Sequence, residues 1–449
     1  MSFNTIIIAN IAEAFEGIIN KVQLVDQRVD RIGIEHGLCD RTFLWEGDDK
    51  VVVTPFPIAE TLFKKNMGVF SFKNVINLSP RDIDVSLSEA IYEDKKLLQT
   101  FIDIVRDNPG IEISPYCITE KFVSFVDFLK KENLDFSVRE MPVCANPHWL
   151  VSYLDSKAGS RMEIGRIKHE SVYVPESLLC QTKQQVVDAL SWFYGGDKSC
   201  AIKANFGESS WGTLLLPKRN FRNMDEMKIL VSIEFEKDAI WQSKPILVEE
   251  YVESGRLYGT APSSEIYIDG NGPKITYVCD QAFDEEGGFL GVSLGLKAIN
   301  PVIIEGIETT SLQIGKRFFE MGYRGFFDID FIISESGDPF ILETNMRRTG
   351  GTHVYDTVKK LIGDDWETTV FALSQDNFVY GNERLSSEEV LGKTKNILYP
   401  INSQKRGIII SIISGKRPSI GFIVIGSSKE DAIGIYNEMV KCWEKKSKN

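Results

Sequence analysis

The chain is poor in the residues from which most metal centres and disulfide frames are built. It has four histidines, at 36, 148, 169 and 353, and seven cysteines, at 39, 117, 144, 180, 200, 279 and 442, with no C-x-x-C among them. An odd number of widely spaced thiols fits a reducing compartment better than a disulfide scaffold or a zinc site, so the expected location is cytoplasmic. A basic excess is also missing: 51 Lys and Arg stand against 64 Asp and Glu, a net charge of −13, and a nucleic-acid partner is not expected. No apolar run approaches the ~18 residues that cross a bilayer. Met1 to Thr5 puts no positive segment ahead of Ile6-Ile7-Ile8, so neither a membrane partner nor a secretory leader is expected. No Ser-His-Asp or Cys-His set offers itself as a nucleophile, and no internal repeat or low-complexity stretch stands out.

What is present is ordinary globular composition, 43% hydrophobic and 26% charged over 449 residues. At roughly 150 residues per domain, that length suggests about three domains. The first third alternates short β-branched runs with helical stretches: strands at Thr5–Ala9, Lys50–Thr54, Asn74–Leu78 and Ile111–Ser114, a helix-like stretch reaching about Val25, and an amphipathic helix over Thr119–Asn133. Strand, helix, strand in that order predicts a parallel sheet. The middle third changes texture. A helix over Lys183–Tyr194 precedes a strand at Ala201–Lys203, a loop at Ala204–Gly212 and a strand at Thr213–Leu216. Asp269-Gly270-Asn271-Gly272 signals a hairpin, and a helix from Ile307 leads to strands at Gly325–Ile333 and Pro339–Glu343. The last segment reads as two strands and a helix. The expected class is α/β, with an N-terminal parallel-sheet domain over 1–150, a central α+β region over 151–384 and a small C-terminal α/β piece over 385–449.

The most specific chemistry lies around 326–353. Asp330 is 13 residues before Glu343, and Asn345 is two after it. Residues i and i+2 of a strand share a face, so a hairpin can bring all three together. Three hard oxygen donors suit Mg2+, with Asp328 as an outer ligand. The plainer alternative makes Asp328 and Asp330 the solvent side of an amphipathic strand. Glu343-Thr344-Asn345-Met346-Arg347-Arg348-Thr349-Gly350-Gly351-Thr352-His353 then sets two cations and a Gly-Gly turn beside the carboxylates, an arrangement suited to a polyphosphate with its metal. Lys203 ahead of the loop Asn205–Gly212 can clamp phosphates, although such a loop is also a common hairpin. It is not a Walker loop. Leu247–Glu253 is an apolar strand ending in acids, which can present a backbone edge to adenine or simply end in solvent.

In this order and spacing, the three signals resemble the ATP-grasp superfamily over Leu154 to about Leu361. Lys157, in Leu154-Asp155-Ser156-Lys157, matches that family's first nucleotide-binding lysine. Asn345 to His353, the α/β N-terminal third with Ser79-Pro80-Arg81-Asp82, and the small C-terminal piece further resemble the pheganomycin-type peptide ligases, in which a pre-ATP-grasp domain precedes the nucleotide domains. The resemblance implies ATP and two Mg2+ as cofactors, phosphorylation of a carboxylate, and attack by an amine on the acyl phosphate.

Carried over by position, Lys157 and Lys203 contact ATP, with Gly207, Ser209, Ser210 and Gly212 in the closing loop. Glu249, Glu250 and the backbone near Val252 hold adenine and ribose. Asp330, Glu343 and Asn345 bind Mg2+, Arg347 and Lys203 are catalytic, and Arg348, Thr349, Gly350, Gly351 and His353 face the acyl substrate. The implied partners are small amino acid or peptide substrates; homodimers are common for such folds. The alternatives are a biotin-carboxylase-like enzyme that phosphorylates bicarbonate and a nucleotide-binding regulator without turnover. Substrate choice is assigned to the N-terminal third and to the stretch 281–296, read as a polar, glycine-rich loop.

Overall fold

The computed structural model describes residues 2–208, 211–255, 261–285 and 287–443. Its framework is three sheets of a mixed α/β protein. The first is parallel, in the order β3-β2-β1-β4-β5, from β1 (Thr5–Ile8), β2 (Lys50–Val53), β3 (Val75–Leu78), β4 (Ile111–Pro115) and β5 (Phe136–Ser137). Its central strands are continuous apolar runs because helices cover both faces; Ile6, Ile7, Ile8, Val51, Val52 and Val53 are fully buried. The helix Glu120–Lys131, capped by the Thr119 side chain, buries Phe122, Phe125, Val126 and Leu129 against this sheet, as its periodicity predicts.

The second sheet is antiparallel, in the order β6-β9-β7-β8, from β6 (Ser177–Cys180), β7 (Cys200–Glu208), β8 (Trp211–Leu216) and β9 (Ile246–Glu250). It has its own core of Val186, Leu190, Phe193, Met227, Val231 and Trp241, separate from the main one. The third sheet has eight strands in the order β14-β13-β10-β11-β12-β15-β17-β16. They are β10 (Pro262–Asp269), β11 (Gly272–Phe283), β12 (Phe289–Gly295), β13 (Gly325–Ile333), β14 (Pro339–Asn345), β15 (Phe371–Val379), β16 (Gly407–Ile413) and β17 (Ser419–Gly426). The last two strands thus extend the sheet that carries the acidic hairpin. Among the described residues no helix is long and apolar enough to cross a membrane.

Four local expectations are corrected. The stretch after β1 forms two short helices, Ile11–Ala14 and Glu16–Ile19, and a third helix, Val25–Leu38, follows where none is predicted. That helix is mostly polar and buries little beyond Ile32, Glu35 and His36, so periodicity hides it. The expected loop from Ala204 is mostly strand, because β7 continues to Glu208 and pairs it with Trp211. The stretch 281–296 is a hairpin, with Asp280 opposite Ser293 and Phe283 opposite Phe289. Strand β15 goes unpredicted because Ser374, Gln375, Asp376 and Asn377 interrupt its apolar pattern.

Candidate functional site

The β13–β14 hairpin sets the acidic residues by register. Asp328 pairs with Asn345 and Asp330 with Glu343, while on the other side Ser263 pairs with Asp330 and Glu265 with Asp328. Paired residues project to the same face, so these six side chains share one side of the sheet. Asn345 Nδ2 donates to Asp328 Oδ1 at 3.2 Å and to Asp330 Oδ2 at 3.0 Å. Gln281 Nε2 donates to Asp330 Oδ1 at 2.6 Å, and the Ser263 hydroxyl donates to Asp328. Even so, the carboxylates are crowded. Burial, followed by Asp328 and Glu343, pushes the Asp330 carboxyl well above the usual range, and burial with Glu265 nearby raises Asp328 to about 6. The face is short of positive charge.

Cations meet it from three directions. Lys157 Nζ lies 2.5 Å from Glu343 Oε2. Burial would raise the Glu343 carboxyl, but Lys157, Lys203 and Arg347 outweigh it and hold the group at about 2. Lys157 opens the helix Lys157–Ile164, which is capped by Ser156 and held at its start by Asn205 Oδ1 accepting from the Ala158 amide at 3.0 Å. Lys203, on β7, is paired with Glu249 of β9, and Arg161 Nη2 donates to the same carboxylate at 2.8 Å. Arg161 also donates to the carbonyls of Ile341 (2.9 Å) and Leu342 (3.0 Å), and so ties the four-stranded sheet to β14. Glu249 is 1% exposed. Burial pushes its carboxyl up, while Lys203 and Arg161 hold it below the usual range. Arg347 Nη1 donates to Asp155 at 3.0 Å and its Nη2 to Asn345 Oδ1 at 3.0 Å, with the guanidinium 4.9 Å from the centre of the Phe15 ring.

Most of the sequence-predicted residues converge here. Lys203, Glu249, Glu250, Val252, Asp330, Glu343, Asn345, Arg347, Thr349, Gly350 and Gly351 line one cleft of about 650 Å³. Lys157 reaches it through Glu343. Gly207 packs beside Lys157 and against the Trp211 carbonyl, and Gly212 follows in β8 against Ile240. Ser209 and Ser210 lie outside the described residues.

Three expectations change. Arg348 does not reach the cleft; it is 1% exposed and donates to Glu140 (2.8 Å), Glu46 (3.1 Å) and Ser114 (3.0 Å), stacked on Trp45 and Phe326. It bolts the hairpin to the parallel sheet, because a buried guanidinium needs several acceptors. His353 is fully buried behind the cleft, 3.4 Å from Asp376, and burial with Arg41 nearby keeps it neutral. Glu249 lines the cleft, but its carboxylate is committed to Lys203 and Arg161, so what it presents is strand edge. Sequence reasoning missed Arg161, Gln281, Asp155, Arg41 and Asp376. Only Arg161 carries a legible signal: it lies four residues after Lys157, on the same helix face.

The Gly-Gly step has a steric origin. A Cβ on Gly351 would sit 2.3 Å from the Tyr277 hydroxyl oxygen. Gly351→Ala is therefore expected to cost about 1–3 kcal/mol of folding stability through overpacking. A urea melt of the variant against the parent protein measures this, and an unchanged midpoint refutes the steric assignment.

The cations and acids described here can do one thing together: hold a polyphosphate beside a carboxylate-bound divalent cation. The donors suit Mg2+, being hard oxygens on a face short of positive charge. Among the described residues no group of three His, Cys, Asp or Glu side chains is arranged to hold a metal by itself, since Glu343 is turned onto Lys157. The set is completed by the Asn345 amide.

No protein-family model matches the chain. None of the curated proteins compared with it matches either. Solved structures do. The biotin carboxylase domain of 2-oxoglutarate carboxylase from Hydrogenobacter thermophilus, a dimer solved with MgADP, ADP and bicarbonate, superposes with a TM-score of 0.59 at 13% identity, covering 99% of this chain and 91% of that one. Biotin carboxylase from Campylobacter jejuni, solved with an ATP analogue, gives 0.56 at 12% identity, covering 96% and 89%. N5-carboxyaminoimidazole synthetase from Staphylococcus aureus, solved with ADP, gives 0.53 at 11% identity, covering 99% and 98%. At these identities the likeness establishes the fold, which is the ATP-grasp fold.

Proposed function

We propose that this chain is an ATP- and Mg2+-dependent ligase that joins a carboxylate to an amine through an acyl phosphate, with an amino acid or small peptide among its substrates. One observation carries the reading. A single cleft holds an acid–amide set (Asp330, Glu343, Asn345), three cations (Lys157, Lys203, Arg347) and, among the described residues that line it, no activated side-chain nucleophile. The nucleotides bound to the structurally similar enzymes support the same placement.

In this reading Lys157 and Lys203 hold the phosphates, and the exposed edge of β9 with Glu250 and Val252 takes the adenosine end. Asp330, Glu343 and Asn345 would hold Mg2+, which when bound neutralises phosphate charge and orients the terminal phosphoryl group. A substrate carboxylate oxygen attacks the terminal phosphorus and ADP leaves. The amine then attacks the acyl carbon, phosphate leaves with the C–O electron pair, and the amine gives up a proton. Arg347, fixed by Asp155, meets the charge that develops on the acyl oxygen and the departing phosphate. Enclosure of the cleft keeps water from the acyl phosphate.

The second reading is phosphorylation of bicarbonate, favoured by the bicarbonate in the Hydrogenobacter structure. One assay separates the two. Phosphate release with ATP and Mg2+ is measured over a matrix of amino acids, short peptides and bicarbonate. Release that needs both an acid and an amine supports the ligase. Release with bicarbonate alone, or stimulated by free biotin, overturns it in favour of the second reading.

A further inference from the structure

The cleft continues past the cations to an end that the nucleotide and metal readings leave unused. Arg41, from the short helix Cys39–Leu44 beside the parallel sheet, lines it together with Asp376 from β15 of the eight-stranded sheet. The two form an ion pair through Arg41 Nη1 and Asp376 Oδ2. Both are more than nine-tenths buried, at 4% and 6% exposed. Yet Arg41 Nε and Asp376 Oδ1 have no hydrogen-bond partner among the described residues. One donor of a buried cation and one acceptor of a buried anion are thus left unmatched, side by side, at the wall of a cleft. Such groups are costly to leave unmade.

The surroundings define what would match them. Arg31 and Glu35, 3.1 Å apart, line the same end, so this part of the cleft carries two positive and two negative groups and has no net charge. That suits a dipolar ligand. A phosphorylated or purely anionic substrate would be met better by the Lys157, Lys203 and Arg347 end. The remaining wall is apolar and aromatic, with Phe15, Tyr116 and Phe289. Gly350 supplies the space: a Cβ there would lie 2.7 Å from Phe289 and 3.5 Å from Asp376 Oδ2, so glycine keeps the backbone clear of both.

We infer that Arg41 and Asp376 form the seat of a free α-amino acid, its carboxylate taken by Arg41 and its ammonium by Asp376, with an apolar side chain against Phe15, Tyr116 and Phe289. This rests on the ligase reading and deepens it. An amino acid whose carboxylate is held by Arg41 cannot offer that group to the phosphates, so it enters as the amine donor. Arg41 and Asp376 become the residues that select it.

The test uses the full chain saturated with MgADP. Calorimetric titration with the twenty standard amino acids identifies the tightest binder, which is then compared with its decarboxylated amine and its des-amino acid. Each truncated analogue is expected to bind at least about tenfold more weakly, because each leaves one buried charge unmatched. Arg41→Gln and Asp376→Asn are expected to raise the amino acid KM by a similar factor while MgADP affinity stays as in the parent protein. The comparison of analogues needs no variant, so it stands even if the variants fail to fold. Equal binding of either analogue, or no binding by any amino acid, overturns the inference. Failure of the ligase reading looks different: the amino acid binds, but no combination of acid and amine releases phosphate.

Discussion

Glu343→Gln is expected to lower ATP turnover by at least about a thousandfold, the scale set by losing a metal's share of phosphoryl charge stabilisation. The change is nearly isosteric, so the hairpin register that pairs Asp330 with Glu343 survives. What disappears is a charge with two proposed duties. In the metal-free protein it balances Lys157 at 2.5 Å; in the loaded protein it would hold Mg2+ against the phosphates. Without it, Lys157 has lost its partner on β14, and the acid–amide set keeps Asp330 and Asn345 alone. Nucleotide affinity measured in EDTA should change little, because Lys203 and the β9 edge remain. Steady-state ADP release against calorimetric ADP binding separates these two effects. Activity within tenfold of the parent protein would remove Glu343 from the metal set.

Arg347→Ala is expected to lower kcat by about a hundredfold to a thousandfold, the usual loss when one preorganised donor to a developing oxyanion is deleted. The structure explains why this arginine is preorganised. One arm of its fork is held by Asp155, the other by the Asn345 amide oxygen, and its face rests on Phe15. Arg347→Lys keeps the charge but not the planar fork, so it should recover only part of the loss. A drop confined to kcat, with ATP KM near that of the parent protein, supports a role in the reacting state. A drop confined to KM would instead make Arg347 a ground-state phosphate ligand.

The acidic hairpin was legible because its pattern is local. Gly325–Ile333 and Pro339–Asn345 are joined by a short turn, so spacing alone places Asp330, Glu343 and Asn345 on one face. The glycine and aromatic content of 280–289 misled, because one ladder of backbone bonds turns that run into a hairpin. Arg348 misled for a different reason. It adjoins Arg347 in sequence, but successive residues leave the hairpin in different directions: Arg347 lines the cleft, while Arg348 is drawn into a cage of Glu46, Glu140 and Ser114 that no local pattern announces.

The sequence by itself determined the parallel first sheet, the acid–amide spacing and the cations that follow it, since each depends on periodicities of two or 3.6 residues within one segment. Only the tertiary structure decided the rest. Glu249 meets Arg161 across 88 positions, and Arg41 meets Asp376 across 335. Contacts of that span follow from how three sheets pack around one cleft. A buried charge takes whichever partner the packing brings within reach, and that partner's place in the chain leaves no trace near the charge itself.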